Sequence, residues 1–236
     1  MNAQMRWQEL IVGNLSAGSV PGFRKREISF SAVEAGLPSS AVNRTTMPNV
    51  MPAARAEVNF LPGQLKPTRN QLDFALEGPG FFEVQMPNGT KAYTRDGEFH
   101  LNSAGQLTTK QGYTVLSDLG PLQFDPNNGG AITVSSNGFV SQGSDVKGTI
   151  RLVEFNDPHG LTPISQGYFL ADKEGLEPLA AETTSVRQGH LEASNTSPTA
   201  EMASLITSMR MFEANQRVLQ MQDERMGKVI TELGHP

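Results

Sequence analysis

The residues of this chain that could do chemistry are few and scattered. Four histidines, His100, His159, His190 and His235, carry the groups that shuttle protons or hold zinc. No two of them stand at i and i+4, and no carboxylates are arranged around them as a metal shell requires. They read as structural or solvent-facing. Asp157-Pro158-His159-Gly160 sets a carboxylate beside an imidazole, but Asp-Pro with a following glycine is ordinary turn chemistry. Gly78-Pro79-Gly80 lacks the later glycine or lysine of a phosphate loop, and no helical pattern follows to supply an anion site. A Gly-x-Ser-x-Gly nucleophile elbow does not occur. Asp223-Glu224 sits beside Arg225 in a helical pattern, where it forms a solvated or inter-subunit charged face. The expectation is no enzyme: no catalytic residue, no cofactor-binding residue and no metal ligand.

Composition narrows the class in the same direction. A chain of 236 residues holds one moderate domain, or a small domain with extensions, and buries a real core. Asp and Glu number 24 against 19 Lys and Arg, and the one basic run is Arg24-Lys25-Arg26. Phosphate binding needs a clustered positive surface, so nucleic acid is not an expected partner. With 0 cysteines, disulfide staples and thiolate metal sites are excluded. No apolar stretch is long enough to span a bilayer, and the start lacks the charged-then-apolar signature of a cleaved signal. Membrane insertion is not expected, and any export would depend on another kind of signal.

The elements fall into three kinds. Helical spacing covers the first residues and breaks over 13–22, where Gly18, Pro21 and Gly22 interrupt it. From Phe23 to about residue 71 the chain is poor in apolar runs and holds Pro38, Pro48, Pro52, Pro62 and Pro67. It is expected to be extended and linker-like, with one strand near 26–30. From Leu72 to Glu192, strand-like runs alternate with turn signals such as Asn88-Gly89, Asp96-Gly97, Ala104-Gly105 and Asn137-Gly138. Expected strands are 72–76, 81–85, 91–94, 98–101, 106–109, 113–116, 132–134 and 149–155. No helical pattern interleaves them, so the fold class is mainly β: a compact antiparallel barrel or sandwich. The last helix is expected from Ser197 as N-cap and Pro198 as first position to Leu233, about 50 Å long.

The two terminal helices share a spacing of alternating four and three. The second carries Met202, Leu205, Met209, Phe212, Leu219, Met226 and Ile230, interrupted by Gln216 and Asp223; the first carries Met5, Val12 and Leu15. Each stripe needs a partner helix. The ends are expected to pair as a coiled coil with one another or with copies of themselves. The division read from the sequence is 1–22 as an assembly helix and turn, 23–71 as a linker, 72–192 as a β domain and 193–236 as a second assembly helix.

The ends also carry recognisable words. Leu10-Ile11-Val12-Gly13-Asn14-Leu15 followed by Pro21-Gly22-Phe23-Arg24 resembles the N-terminal signature of flagellar rod and hook proteins, with Ser16 and Ala17 where that family has Ala and Asn. At the other end Leu191-Glu192-Ala193-Ser194-Asn195, Glu201-Met202 and Phe212-Glu213-Ala214-Asn215 are similar to the family's C-terminal motif. Gly80-Phe81-Phe82, Tyr93-Thr94-Arg95-Asp96-Gly97-Glu98-Phe99 and Gly105-Gln106-Leu107 resemble its β-domain motifs. The resemblance covers nearly the whole chain except 31–68. It implies export through the flagellar type III apparatus, assembly with copies of itself and other rod and hook proteins, and a place in the periplasm-spanning rod of the basal body. It further implies terminal helices in the inner layer of a hollow tube, and about ten helical residues upstream of Met1 in related sequences. Hook subunits carry extra β domains for which 72–192 has no room, and the helix running past Asp223 leans to a proximal rather than a distal rod subunit. The alternative from another class is a surface adhesin or glycan binder on a helical stalk. Its aromatic platforms have no counterpart here, since the sole tryptophan, Trp7, lies in the first helix.

Overall fold

The computed structural model describes residues 2–34, 50–126, 128–165 and 167–233, and side chains are described outside 2–4, 30–34, 50–54 and 229–233. Two compact units emerge. The first comprises Met1–Ser16, Arg26–Glu57 and Ser197–Pro236; the second comprises Ala17–Lys25 and Val58–Thr196.

The first unit holds two helices, α1 (Asn2–Ser16) and α2 (Pro198–Leu233), and a two-stranded pair formed by Arg26–Glu34 and Val50–Val58. α1 runs through Gly13, where helical spacing was expected to fail, because a lone glycine weakens a helix without breaking it. Ser16 then donates its hydroxyl to the Gly13 carbonyl at 3.0 Å and closes the last turn. α2 opens on Pro198, whose missing N–H would have had no helical partner, with Glu201 in the first turn where the helix dipole favours negative charge. The helix is described as far as Leu233, the end expected from the sequence.

In the second unit seven strands of a 10-stranded antiparallel sheet run in the order Thr162–Ser165, Tyr168–Leu170, Lys91–Thr94, Phe81–Gln85, Thr114–Ser117, Leu107–Thr109, Phe99–Leu101, with Gly120–Pro121, Leu152–Glu154 and Leu179–Ala180 attached beside them. One edge of Phe81–Gln85 is shared: its first half pairs with Leu152–Glu154 and its second with Thr114–Ser117. Side chains alternate along a strand, so neighbours in sequence enter different layers. Phe82, Ala92 and Tyr168 join the larger core with Phe74, Leu107, Val140 and Val186. Phe81, Tyr93 and Phe169 join a smaller one with Val153, Phe155 and Leu161. Both faces of the central strands are therefore covered. The sheet's two end strands, Thr162–Ser165 and Phe99–Leu101, do not meet. That overturns the barrel half of the expected fold class: the β region is mainly antiparallel and open.

Smaller sheets complete the unit: a three-stranded one, 132–149, and two-stranded pairs of Phe74–Glu77 with Ser185–Gln188 and of Leu65–Pro67 with His190–Glu192. The linker-like reading of 23–71 needs correction here. Among its described residues three strands occur, and one, Leu65–Pro67, is laddered to the segment that precedes α2. Proline hid it, because Pro67 sits at a strand end where no ladder donor is needed. Of the expected strands, 81–85, 91–94 and 132–134 have the same bounds, and Leu152–Glu154 replaces the longer 149–155. Strands over 139–142, 145–149, 162–165, 168–170 and 179–180 were not anticipated.

Candidate assembly surfaces and the buried motif cluster

Asn14 stands near the end of α1 and acts there as a strand segment would. Its Oδ1 accepts from the Arg26 amide at 2.9 Å and its Nδ2 donates to the Arg26 carbonyl at 2.8 Å. The same Nδ2 reaches Glu201 Oε2 in the first turn of α2 at 3.4 Å. One carboxamide thus ties both helices to the start of the strand pair. A donor and an acceptor on one planar group match the backbone's own pattern, which aspartate or leucine could not do.

In the β unit Gly22, Arg24, Gly63 and Arg95 converge on Glu192. Its Oε1 accepts from Arg24 Nη1 at 2.6 Å and from the Gly63 amide at 2.7 Å; its Oε2 faces Arg95 Nη1 at 3.4 Å. The Glu192 carbonyl accepts from the Gly22 amide at 2.7 Å. Arg95 donates through Nη2 to the Gly78 carbonyl at 2.6 Å and lies over the Phe81 ring, 5.1 Å from its centre. Burial is the main reason the Arg95 guanidinium drops to about 10, with Glu192 acting against it. Gly22 adopts φ +66, and a side chain there would run into the Arg95 backbone. A residue with a Cβ fails on both counts. Asn195 repeats the work of Asn14: Oδ1 accepts from the Lys25 amide at 2.6 Å, while Nδ2 donates to the Asn59 and Leu61 carbonyls at 2.8 and 2.9 Å. Three stretches far apart in sequence, 22–25, 59–65 and 191–195, are thereby held together by charge and amide groups.

The other motif residues divide by role. Phe99 packs in the larger core, Phe81 and Tyr93 in the smaller. Gly97 lies against the Phe74 carbonyl, where a side chain has no room, and the Gly80 amide donates to Thr184 Oγ1 at 2.8 Å. Leu191 pairs with Lys66 in the short ladder, and Ser194 shares a hydroxyl contact with Thr196 at 2.9 Å. Glu213 and Asn215 are exposed on α2, and Phe212 is half-buried.

The helical stripe is placed differently from a closed intramolecular seam. The fully buried residues described on α1 and α2 are Ile11, Asn14, Glu201 and Ser208, with Leu15, Leu205 and Phe212 half-buried. Met5, Val12, Met202, Met209, Leu219 and Met226 are exposed, and the Ile230 side chain lies outside the described residues. Ile206, Met211, Val218 and Met221 add further exposed apolar surface to α2. A helix this apolar in solvent marks an interaction surface.

Polar residues weighed for chemistry are dispersed. His100 and His159 are exposed, and Asp157 caps a single 3₁₀ turn, its carboxylate accepting from the His159 amide at 3.0 Å. Asp96 is a correction: read as a surface turn, it is buried, and burial lifts its carboxyl to about 6 although the Glu98 amide donates to it at 3.0 Å. A cavity of about 510 Å³ is lined by Arg24, Phe60, Leu76, Phe81, Arg95 and Glu192. Of its charged groups Arg24, Arg95 and Glu192 pair in the cluster above, and Glu77, also on its wall, pairs with Arg187. Among the described residues no group of three or more His, Asp or Glu could hold a metal ion. Arg24 stood in the sequence reading only as the end of a motif word and the start of a short basic run, with no partner assigned to it. The signal was its neighbour Phe23, an aromatic beside a turn, and the acid that needs it is 168 residues away.

Residues 75–142 match the model for the flagellar hook protein FlgE/F/G D1 domain, and residues 187–232 match that for the flagellar basal body rod FlgEFG protein C-terminal region. The chain is 32% identical to the flagellar basal-body rod protein FlgG of Borreliella burgdorferi, over 96% of this chain and 93% of that one. It is 30% identical to FlgF of Caulobacter vibrioides, over 96% and 91%, and 30% identical to FlgF of Escherichia coli K12, over 94% and 90%. The two matched regions hold Arg95 and Glu192 of the buried cluster, the central strands from Phe81–Gln85 to Thr114–Ser117 and the apolar helix, and with near full-length identity at this level the chain belongs to the FlgF and FlgG family of flagellar basal-body rod proteins.

Proposed function

We propose that this chain is a structural subunit of the bacterial flagellar basal-body rod, polymerising with copies of itself and with other rod and hook proteins into the hollow shaft that carries motor torque. The observation that carries the reading is the near-complete match to rod proteins, 32% identity across 96% of the chain. Physical support comes from α2, whose apolar residues stay exposed in the single chain. A shaft needs many repeated contacts rather than one strong site, and heterologous contacts that do not close into a ring build a filament.

In this reading the seam of Met5, Val12, Leu15, Met202, Leu205, Met209, Phe212, Leu219, Met226 and Ile230 is buried as coiled-coil contacts between helices of neighbouring subunits. Residues 1–22 and 193–236 are the assembly ends and 72–192 the outer β domain. The subunit leaves the cytoplasm through the flagellar type III export apparatus and spans the periplasm in the rod, without membrane insertion. Among the described residues no helix is long and apolar enough to cross a membrane. Relatives named FlgG and FlgF match at comparable identity, so similarity favours neither the proximal nor the distal position. The adhesin alternative gains nothing from the relatives.

Deleting the gene and imaging basal bodies by electron cryo-microscopy tests the proposal. The expected result is a truncated or absent rod and loss of swimming, both restored by the intact gene. A complete rod in the deletion strain would overturn it.

A further inference from the structure

Five of the chain's 10 methionines lie in α2, and all are open to solvent: Met202 at 51%, Met209 at 54%, Met211 at 52%, Met221 at 55% and Met226 at 68% exposed. They occupy two faces. Met202, Met209 and Met226 follow the seam spacing, while Met211 and Met221 share with Val218 a second stripe about 200° round the helix at 100° per residue. Thioethers are apolar and adaptable, which suits a helix that must fit several neighbours. They are also the side chains, in a chain with 0 cysteines, that a peroxide oxidises most readily.

We infer that these five methionines are a modification site at which peroxide-class oxidants block assembly of the unpolymerised subunit. The inference rests on the rod-subunit reading, since it needs a helix that is exposed before polymerisation and covered after it. The sulfur lone pair attacks one peroxide oxygen, an S–O bond forms as the O–O bond breaks, and water leaves. The thioether loses two electrons and the peroxide gains them. The sulfoxide is a polar, chiral group on a face that must lose its water when neighbours pack. Burying it costs about tenfold in association for each sulfoxide that finds no donor. A methionine sulfoxide reductase reverses the change with electrons from a dithiol. Met86, half-buried against the larger core, serves as an internal reference.

The test uses the full chain. Purified subunit is treated with hydrogen peroxide, each methionine is quantified by peptide mass spectrometry, and assembly is followed by sedimentation and electron microscopy, with circular dichroism reporting helix content. Expected are faster oxidation of the five α2 methionines than of Met86, a loss of sedimenting assembly at unchanged helix content, and recovery after incubation with both sulfoxide reductases and dithiothreitol. A variant carrying Met202→Leu, Met209→Leu, Met211→Leu, Met221→Leu and Met226→Leu should lose far less assembly than wild type on peroxide treatment, measured against its own untreated level, any remaining loss following oxidation of the exposed Met5 of α1. Met86→Leu should give no protection. Oxidised wild type that assembles like untreated protein, or assembly that stays lost after mass spectrometry shows the sulfoxides reduced, overturns the inference. Failure of the untreated subunit to self-associate under any condition overturns the rod-subunit reading and this inference with it.

Discussion

Asp96 and Glu192 are both buried carboxylates, and their environments make opposite use of charge. Asp96 has its carboxyl raised to about 6, chiefly by burial. A carboxyl whose folded value lies above its unfolded value contributes stability below about pH 4, and that contribution is lost as pH rises through about 6. Asp96→Asn keeps an oxygen to accept from the Glu98 amide and cannot ionise. It should be more stable than wild type at pH 7.5 by about 2 to 3 kcal/mol, the difference vanishing near pH 4. Denaturant titrations of both proteins across that range check this, and a pH-independent difference would contradict it. Glu192 is different, because two guanidinium groups depend on it. Glu192→Gln leaves Arg24 and Arg95 buried beside a neutral amide, and removal of one partner from such a group costs about 3 kcal/mol or more. The β-unit melting transition should fall accordingly.

At the level of elements, α2 separates association from folding. Phe212 is half-buried on a helix whose apolar neighbours are mostly exposed. Phe212→Asp should abolish sedimenting assembly, because a charge placed in a dry seam costs several kcal/mol. The melting of the β unit should barely move, since both of its cores are built from residues 58–186 and none from α2. Loss of the β transition in that variant would contradict the separation. Ala214→Pro should act similarly by breaking the helix at a cost of about 3 kcal/mol. Over 59–68, the last part of the stretch 31–68, the structure changes the expectation of a linker. Fast amide exchange throughout it follows from a linker, but the Asn59 amide donates to the Lys25 carbonyl and the Thr68 amide to the Gly189 carbonyl, each at 2.8 Å. Those two amides should exchange slowly in the isolated chain, as hydrogen exchange with fragment separation would reveal.

For the whole molecule, function is expected to follow contacts rather than any catalytic group. His100, His159 and Asp157 are exposed, so alanine at each should leave swimming close to wild type in a complemented deletion strain. A strain that assembles full-length rods yet fails to swim with one of these substitutions would reveal a site that the geometry does not account for.

What the sequence determined by itself were the properties that repeat locally. Heptad spacing placed α2, Ser197-Pro198 placed its start, and alternating runs between Gly-containing turns placed Phe81–Gln85 and Lys91–Thr94 with the observed bounds. The motif residues at the two ends were legible as words, but not as an arrangement. Only the tertiary structure decided that Arg24, Gly63 and Arg95 meet at Glu192, that Asn14 bonds to both backbone groups of Arg26 and Asn195 to the backbone of Lys25, Asn59 and Leu61, and that Asp96 is buried rather than turned outward. It also decided that the sheet stays open, because closure depends on which strands lie at its edges. Helices and turns are fixed by interactions within a few residues of chain, whereas a buried carboxylate is satisfied by whichever cations and amides the fold brings to it, here from as far as 168 residues away.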